Sequence, residues 1–210
     1  PIAQSGVLFY YSVYNMTKIL LEPTLDILFD SPVRTRLLKL FLYNPEENFE
    51  SKIISRKLNL KSYQTNKHLN DLVALEFLIR KNIKDKKTFR VNLGFEFYDE
   101  LKELVAKASP ASKEKMLSRL KSLGKVKLAL LAGIFINSDT SRADILIVGD
   151  NIKPAKFNSF IKNLEAEVGK EINHALMTTK EFYYRHDMYD RFIRDLLDFK
   201  HEKLINKLKI

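Results

Sequence analysis

The feature that most restricts the possible folds is the run of short amphipathic segments centred on residues 62–75, SYQTNKHLNDLVAL. Leu69, Leu72 and Val73 recur at spacings of three and four, with Thr65 one turn earlier, which predicts a helix with one apolar face. Tyr63, Gln64 and Lys67 occupy the opposite face, Asn66 its edge, and Ser62 is positioned to cap the first turn. Every amphipathic helix has a polar outer face, so the neighbours must decide what this one is for. Upstream, Pro32 suits the first position of a helix whose Leu37, Leu38, Phe41 and Leu42 form a stripe, and Asn44-Pro45 stops it. Residues 49–58 predict a shorter helix with Ile53, Ile54 and Leu58 inward. Asn59-Leu60-Lys61 then leaves only a tight connection, which is helix-turn-helix spacing. Downstream, residues 77–81 and 88–93 read as two strands joined by the polar turn NIKDKK. Glu76 sits where a glycine would more comfortably leave the helix.

Charge sharpens this reading. The chain has a net charge of +10. Residues 31–93 hold 14 Lys and Arg against 6 Asp and Glu, while the other 22 basic and 20 acidic residues nearly cancel. An excess confined to one segment attracts a polyanion, whereas a merely solvated basic face would not explain the segregation. Gln and Asn can pair with adenine edges, and Lys with guanine or phosphate. Lys84, Lys86 and Lys87, with Arg90 on the following strand, suit phosphate contacts beside the helix. Double-stranded DNA is the partner these residues predict, and Ser62, Tyr63, Gln64, Asn66 and Lys67 are the positions expected to meet it.

The chain has no cysteine, which excludes disulfides and Cys-based zinc or nucleophile sites and fits a cytoplasmic setting. No apolar run reaches the ~20 residues that span a bilayer, so no membrane partner is expected. Residues 7–14 are apolar but short, contain Ser12 and lack a preceding basic region, which makes a poor signal peptide. With Pro1 leading and Met16 reading as a natural start, residues 1–15 are expected to be non-native or upstream sequence; a docking strand is the alternative. The whole of residues 1–22 reads as an extension.

The first domain is expected over residues 23–107, closed by a helix at 95–107 with Phe97, Leu101, Leu104 and Val105 on one side. That stripe either pairs with a second copy or closes the core of its own domain. Residues 108–123 read as a linker, ASPAS, and a connecting helix with Leu117, Leu120 and Leu123 on one face and Gly124 at its end. From Lys125 the pattern changes to long apolar strands, at 126–136 and 143–150, with the turn NSDTS between them. A helix follows at 154–168, with Phe157, Phe160, Ile161, Leu164 and Val168 inward and Gly169 closing it, then a strand at 172–178, one helix over 181–199 using Phe182, Met188, Phe192 and Leu196, and an edge strand in KLINKL. This alternation suits a mixed sheet with packed helices.

SPVRTRLLKLFLYNP through VNLGFEFYDELKELVAK resembles winged-helix transcriptional regulators that carry a nucleotidyltransferase-like domain. GKVKLALLAGIF, SRADILIVGD and LEAEVGKEINHALMTTKEFYYR resemble that trailing domain, here residues 124–210. The resemblance covers residues 24–210 and implies an α+β chain: an N-terminal winged helix-turn-helix, then a small α/β domain. It also implies where a transferase would keep its chemistry. Active relatives carry Gly-Ser at a helix start, Asp-x-Asp on the next strand and a third carboxylate later, for metal ions that polarise a triphosphate. Here Gly133 matches the glycine, Ile134 replaces the serine, and Arg142 and Asp144 stand at the aspartate positions. The later strand offers Glu171 just before it and Asn173 and His174 within it. A lone Asp144 beside a cationic Arg142 cannot build a two-metal site, so the domain is expected to be degenerate, with no cofactor and no metal. Residues 134–136 are expected to continue the strand, because the NSDTS loop is short. His186 and Asp187 are adjacent on a helix and expected to point apart, and His68, His174 and His201 have no common spacing.

The resulting expectation is a sequence-specific DNA-binding regulator whose inactive C-terminal domain serves sensing, partner binding or dimerisation. Its nucleotide or protein ligand is not legible. The rivals are a divergent nucleotidyltransferase acting on a protein or RNA, and a winged helix that binds protein or RNA.

Overall fold

The computed structural model describes residues 24–83, 86–108, 111, 113–136, 138, 140–208 and 210; the extension at 1–22 lies outside them. The chain is a mixed α+β protein with two separate sheets. Among the described residues, no helix is long and apolar enough to cross a membrane.

The N-terminal half runs α1 (Thr24–Leu28), α2 (Pro32–Tyr43), β1 (Phe49–Glu50), α3 (Ser51–Lys57), α4 (Ser62–Ala74), β2 (Leu78–Ile83), β3 (Lys86–Val91) and α5 (Tyr98–Lys107). Ser31 caps α2 by accepting from Arg34 N at 3.2 Å, and Pro32 takes its first position. Leu37, Leu38, Phe41 and Leu42 are all buried, as their spacing predicts, and pack with Ile54, Leu58, Leu69, Leu72, Phe77 and Val105 in one core. The sheet order is β1-β3-β2, antiparallel throughout, with Phe49 opposite Phe89.

Several local expectations fail here for identifiable reasons. Phe49 belongs to a strand rather than a helix, because its ring packs edge-on against Phe41 at 5.8 Å while its backbone pairs with β3. Starting α3 only at Ser51 rotates its inward face onto Ile54, Ser55 and Leu58, leaving Ile53 39% exposed. Ser62 is the first residue of α4 rather than its cap; Lys61 holds the cap position, and no side chain caps the helix. The strands run further than the sequence suggests, through Asn82, Ile83, Lys86 and Lys87, so NIKDKK is mostly ladder rather than turn. On α5, Val105 and Tyr98 enter the core, but Phe97 is 52% exposed and Leu104 also faces out.

The C-terminal half runs α6 (Lys113–Leu123), β4 (Lys125–Leu131), a 3₁₀ turn (Gly133–Phe135), β5 (Ile145–Asp150), α7 (Pro154–Val168), β6 (His174–Met177), α8 (Thr179–Asp187), α9 (Arg191–Asp198) and β7 (Glu202–Asn206). Its sheet order is β6-β5-β4-β7, with β5 and β6 parallel and the other pairs antiparallel. Both faces are covered. Val126, Ala129, Leu131, Ile145 and Ile147 meet α6 and α7, while Leu128, Leu130, Leu146 and Val148 meet α8 and α9. Two-sided burial is why these strands read as continuous apolar runs rather than alternating ones. Here too the sequence expectation needs correcting. β4 ends at Leu131, and residues 133–135 turn as 3₁₀ instead of extending the strand. The single helix expected over 181–199 is two, because Tyr189 turns at φ 54° and the Asp190 carboxylate caps a new helix at Phe192 N and Ile193 N. Met188, expected inward, is 65% exposed at that break.

The two halves meet where α2 and α3 pack on α7. Gly169 ends α7 at φ 81°, and a Cβ there would stand 2.7 Å from Leu40 N, so only glycine permits the close approach. Asn44 Nδ2 donates to Leu40 O at 2.6 Å and to Gly169 O at 3.0 Å, and the buried Lys39 Nζ reaches Glu167 O at 3.5 Å. Orphan carbonyls at the end of α7 are thus taken up by the N-terminal half.

Candidate nucleic-acid interface

α4 presents its polar residues as the spacing predicts. Thr65, Leu69 and Leu72 are buried, and Ser62, Tyr63, Gln64, Asn66 and Lys67 are exposed. Tyr63, at 79% exposure, is the most prominent of them. Tyr63 and Lys67 are four apart and Gln64 and Lys67 three apart, so the three side chains share one surface of the helix. With no side-chain cap, the N–H groups of the first turn also face this surface and can donate to an anion. Asn66 differs from its neighbours. Ser51 Oγ donates to Asn66 Oδ1, which ties the amide to the start of α3 and fixes its orientation. A tethered amide has less freedom to align on a base edge, so Gln64 is the better reader.

The hairpin is less uniform than its composition suggests. Lys84 lies outside the described residues. Lys86 and Lys87 are consecutive in a strand and therefore leave opposite faces of the sheet. Lys86 Nζ pairs with Glu50 Oε1 at 2.9 Å, which neutralises it and braces β1 against β3. Lys87 is exposed on the face that also carries Arg80. Arg90 stands at the base of the hairpin opposite Ile79, half-buried, with its Nε buried and without a hydrogen-bond partner. Among the described residues of this set, Lys87 is the fully exposed cation without a counter-charge. Arg80 and Lys81, both exposed on β2, are additions to the predicted set.

Of the four positions expected to correspond to a transferase site, Gly133, Ile134 and Asp144 interlock, and Arg142 does not join them. Asp144 is only 7% exposed. Its Oδ1 accepts from Ile134 N and its Oδ2 from Asn173 N, each at 2.9 Å, so one carboxylate joins the 3₁₀ turn, β5 and the start of β6. Gly133 sits at φ +50°, and a Cβ there would lie 2.0 Å from Asp144 Oδ1. Both oxygens of Asp144 are occupied by backbone donors. Arg142 hydrogen-bonds Asp195 of α9 and holds the Asp195 carboxyl below its ordinary value. Glu171, the later carboxylate, is on the surface and pairs with Lys57 at 3.2 Å. The structure therefore does not bring Arg142, Asp144 and Glu171 to one point.

The histidines are scattered. His68 lies 3.7 Å from Asp71 on α4, and burial, then the nearby Arg34, pull its pKa below the ordinary value. His174 packs near Phe157, and His201 contacts the Phe199 carbonyl. His186 and Asp187, expected to diverge, lie 3.3 Å apart at the C-terminal end of α8, both exposed. Among the described residues no three His, Asp or Glu side chains converge as a metal site would require. Compared with protein-family models, curated proteins and solved structures, the chain finds no match.

Proposed function

We propose that the chain is a cytoplasmic, sequence-specific DNA-binding regulator, with residues 23–107 forming a winged helix that meets DNA mainly through residues 31–93, and residues 124–210 a nucleotidyltransferase-like unit without transferase activity. One observation carries the reading: the leading end of α4 is uncapped and presents Tyr63, Gln64 and Lys67 together, beside a hairpin bearing Arg80, Lys81 and Lys87. The helix end and the cations bind phosphate, and Gln64 selects among bases in the major groove. The concentration of basic charge in this segment supports the same partner. Phe97 and Leu104, left exposed on α5, support pairing of two copies on a two-fold site, which sedimentation with and without DNA measures.

The inactive reading of the C-terminal unit is supported by Asp144, whose carboxylate is spent on Ile134 N and Asn173 N rather than on a cation. Selection of bound duplexes from a random library tests the main proposal. An enriched motif is the expected result, and recovery of unenriched sequence rejects it. Label transfer from nucleotides to the protein or to RNA, with magnesium or manganese, would reject the inactive assignment.

A further inference from the structure

We propose that the cleft between α3 and α7 binds a small ligand carrying two or more phosphate groups. The cleft has a volume of about 440 Å³, a size suited to a small molecule. Four cations line it: Arg56 and Lys57 from the N-terminal half, Lys162 and Lys170 from the C-terminal half. Two carboxylates line it as well, and both are occupied. Glu171 pairs with Lys57 at 3.2 Å, and Glu165 Oε1 accepts from Ile172 N at 3.2 Å. Arg56, Lys162 and Lys170 have no ion pair among the described residues. With four cations against two carboxylates, the cleft keeps a net charge of +2, and a bound polyanion relieves the repulsion among the cations.

The chemistry of the lining narrows the ligand. A guanidinium can grip a phosphate through two parallel hydrogen bonds, and two ammonium groups add mobile point charges. Among the described residues no aromatic side chain lines the cleft, so a nucleobase finds no stacking surface there. Recognition therefore falls on phosphate groups. Position adds a consequence. Asn59, in the tight turn into α4, hydrogen-bonds Asn163 of α7 at 3.2 Å across the cleft. A ligand held there touches the same turn that sets the leading end of α4.

Calorimetric titration of the full chain with sodium tripolyphosphate, in the absence of DNA, tests the site. Saturable one-to-one binding is expected. It should weaken by at least about tenfold in Lys162→Gln/Lys170→Gln, and likewise in Arg56→Gln on the opposite wall. A charge-matched control, Lys180→Gln/Lys200→Gln, should keep its affinity. No saturable binding, or equal weakening in cleft and control variants, overturns the proposal. Titration of a short duplex separates the two sources of phosphate: lost duplex affinity in the cleft variants, with no tripolyphosphate binding, assigns the cations to the DNA backbone and also overturns it. The tripolyphosphate result does not depend on whether the chain binds DNA.

Discussion

Replacing Gly133 by Ala is expected to cost the protein about 3–6 kcal/mol, through a clash that the sequence gives no hint of. Gly133 has φ +50°, where an L-residue loses about 1–2 kcal/mol relative to glycine. The added Cβ would lie 2.0 Å from Asp144 Oδ1 and 3.2 Å from the Asp144 Cα. Asp144 cannot move aside freely, because its two oxygens hold Ile134 N and Asn173 N at 2.9 Å each. A hydrogen bond to a charged group contributes about 1.5–3 kcal/mol, and displacement of the carboxylate sacrifices one or both. Urea unfolding followed by circular dichroism measures the loss as a shift in midpoint. The Asp144→Ala background isolates the cause. There the carboxylate is gone, so adding Gly133→Ala should cost only the ~1–2 kcal/mol of backbone strain. A loss under about 1 kcal/mol in the wild-type background, or equal losses in both, would show that Gly133 does not clash with the Asp144 carboxylate.

Glu76 ends α4 at φ 60°, so Glu76→Gly should stabilise the protein by about 0.5–1 kcal/mol, seen as a higher urea midpoint with unchanged slope. Burial pulls the Lys39 ammonium below its ordinary 10.5, against the opposing pull of Asp26 and Glu167. The unfolded chain therefore binds more protons in the window below 10.5, so stability should rise with pH through that window. Lys39→Met should lack the rise, which unfolding at about pH 7 and about pH 10 detects. Lys127, then Thr179, hold Asp150 at about 2 against an ordinary 3.8. That contribution is present above 3.8 and lost as pH falls toward 2, so Thr179→Val should begin acid unfolding at higher pH.

Elements buried on a regular stripe were legible. Residues 154–168 read as a helix with Phe157, Phe160, Ile161, Leu164 and Val168 inward, and the structure places α7 there with those five buried. Elements decided by a single backbone position were not. Nothing local announces that Asp190 will cap a fresh helix, because the Phe182 and Phe192 periodicity continues across the break. Phe49 looks helical until its long-range partner Phe89 is known. In the candidate site, exposure of Gln64 and Lys67 followed from the burial of Leu69 and Leu72 on the other side of α4. The tether from Ser51 to Asn66 and the pairing of Glu50 with Lys86 depend on how α3 and β1 sit against their neighbours. Likewise, Asp144 looks like the remnant of a metal site in one dimension, and its role as a clasp between Ile134 and Asn173 exists only in three.

If α4 reads bases, Gln64 is the side chain that must tell one duplex from another. Fluorescence anisotropy would compare wild type and Gln64→Ala on the selected duplex and on a duplex of random sequence, at one fixed salt concentration. The expected loss is on the order of 1–3 kcal/mol on the selected duplex and almost none on the random one. Equal losses on both duplexes, or no loss on either, would contradict base reading by α4.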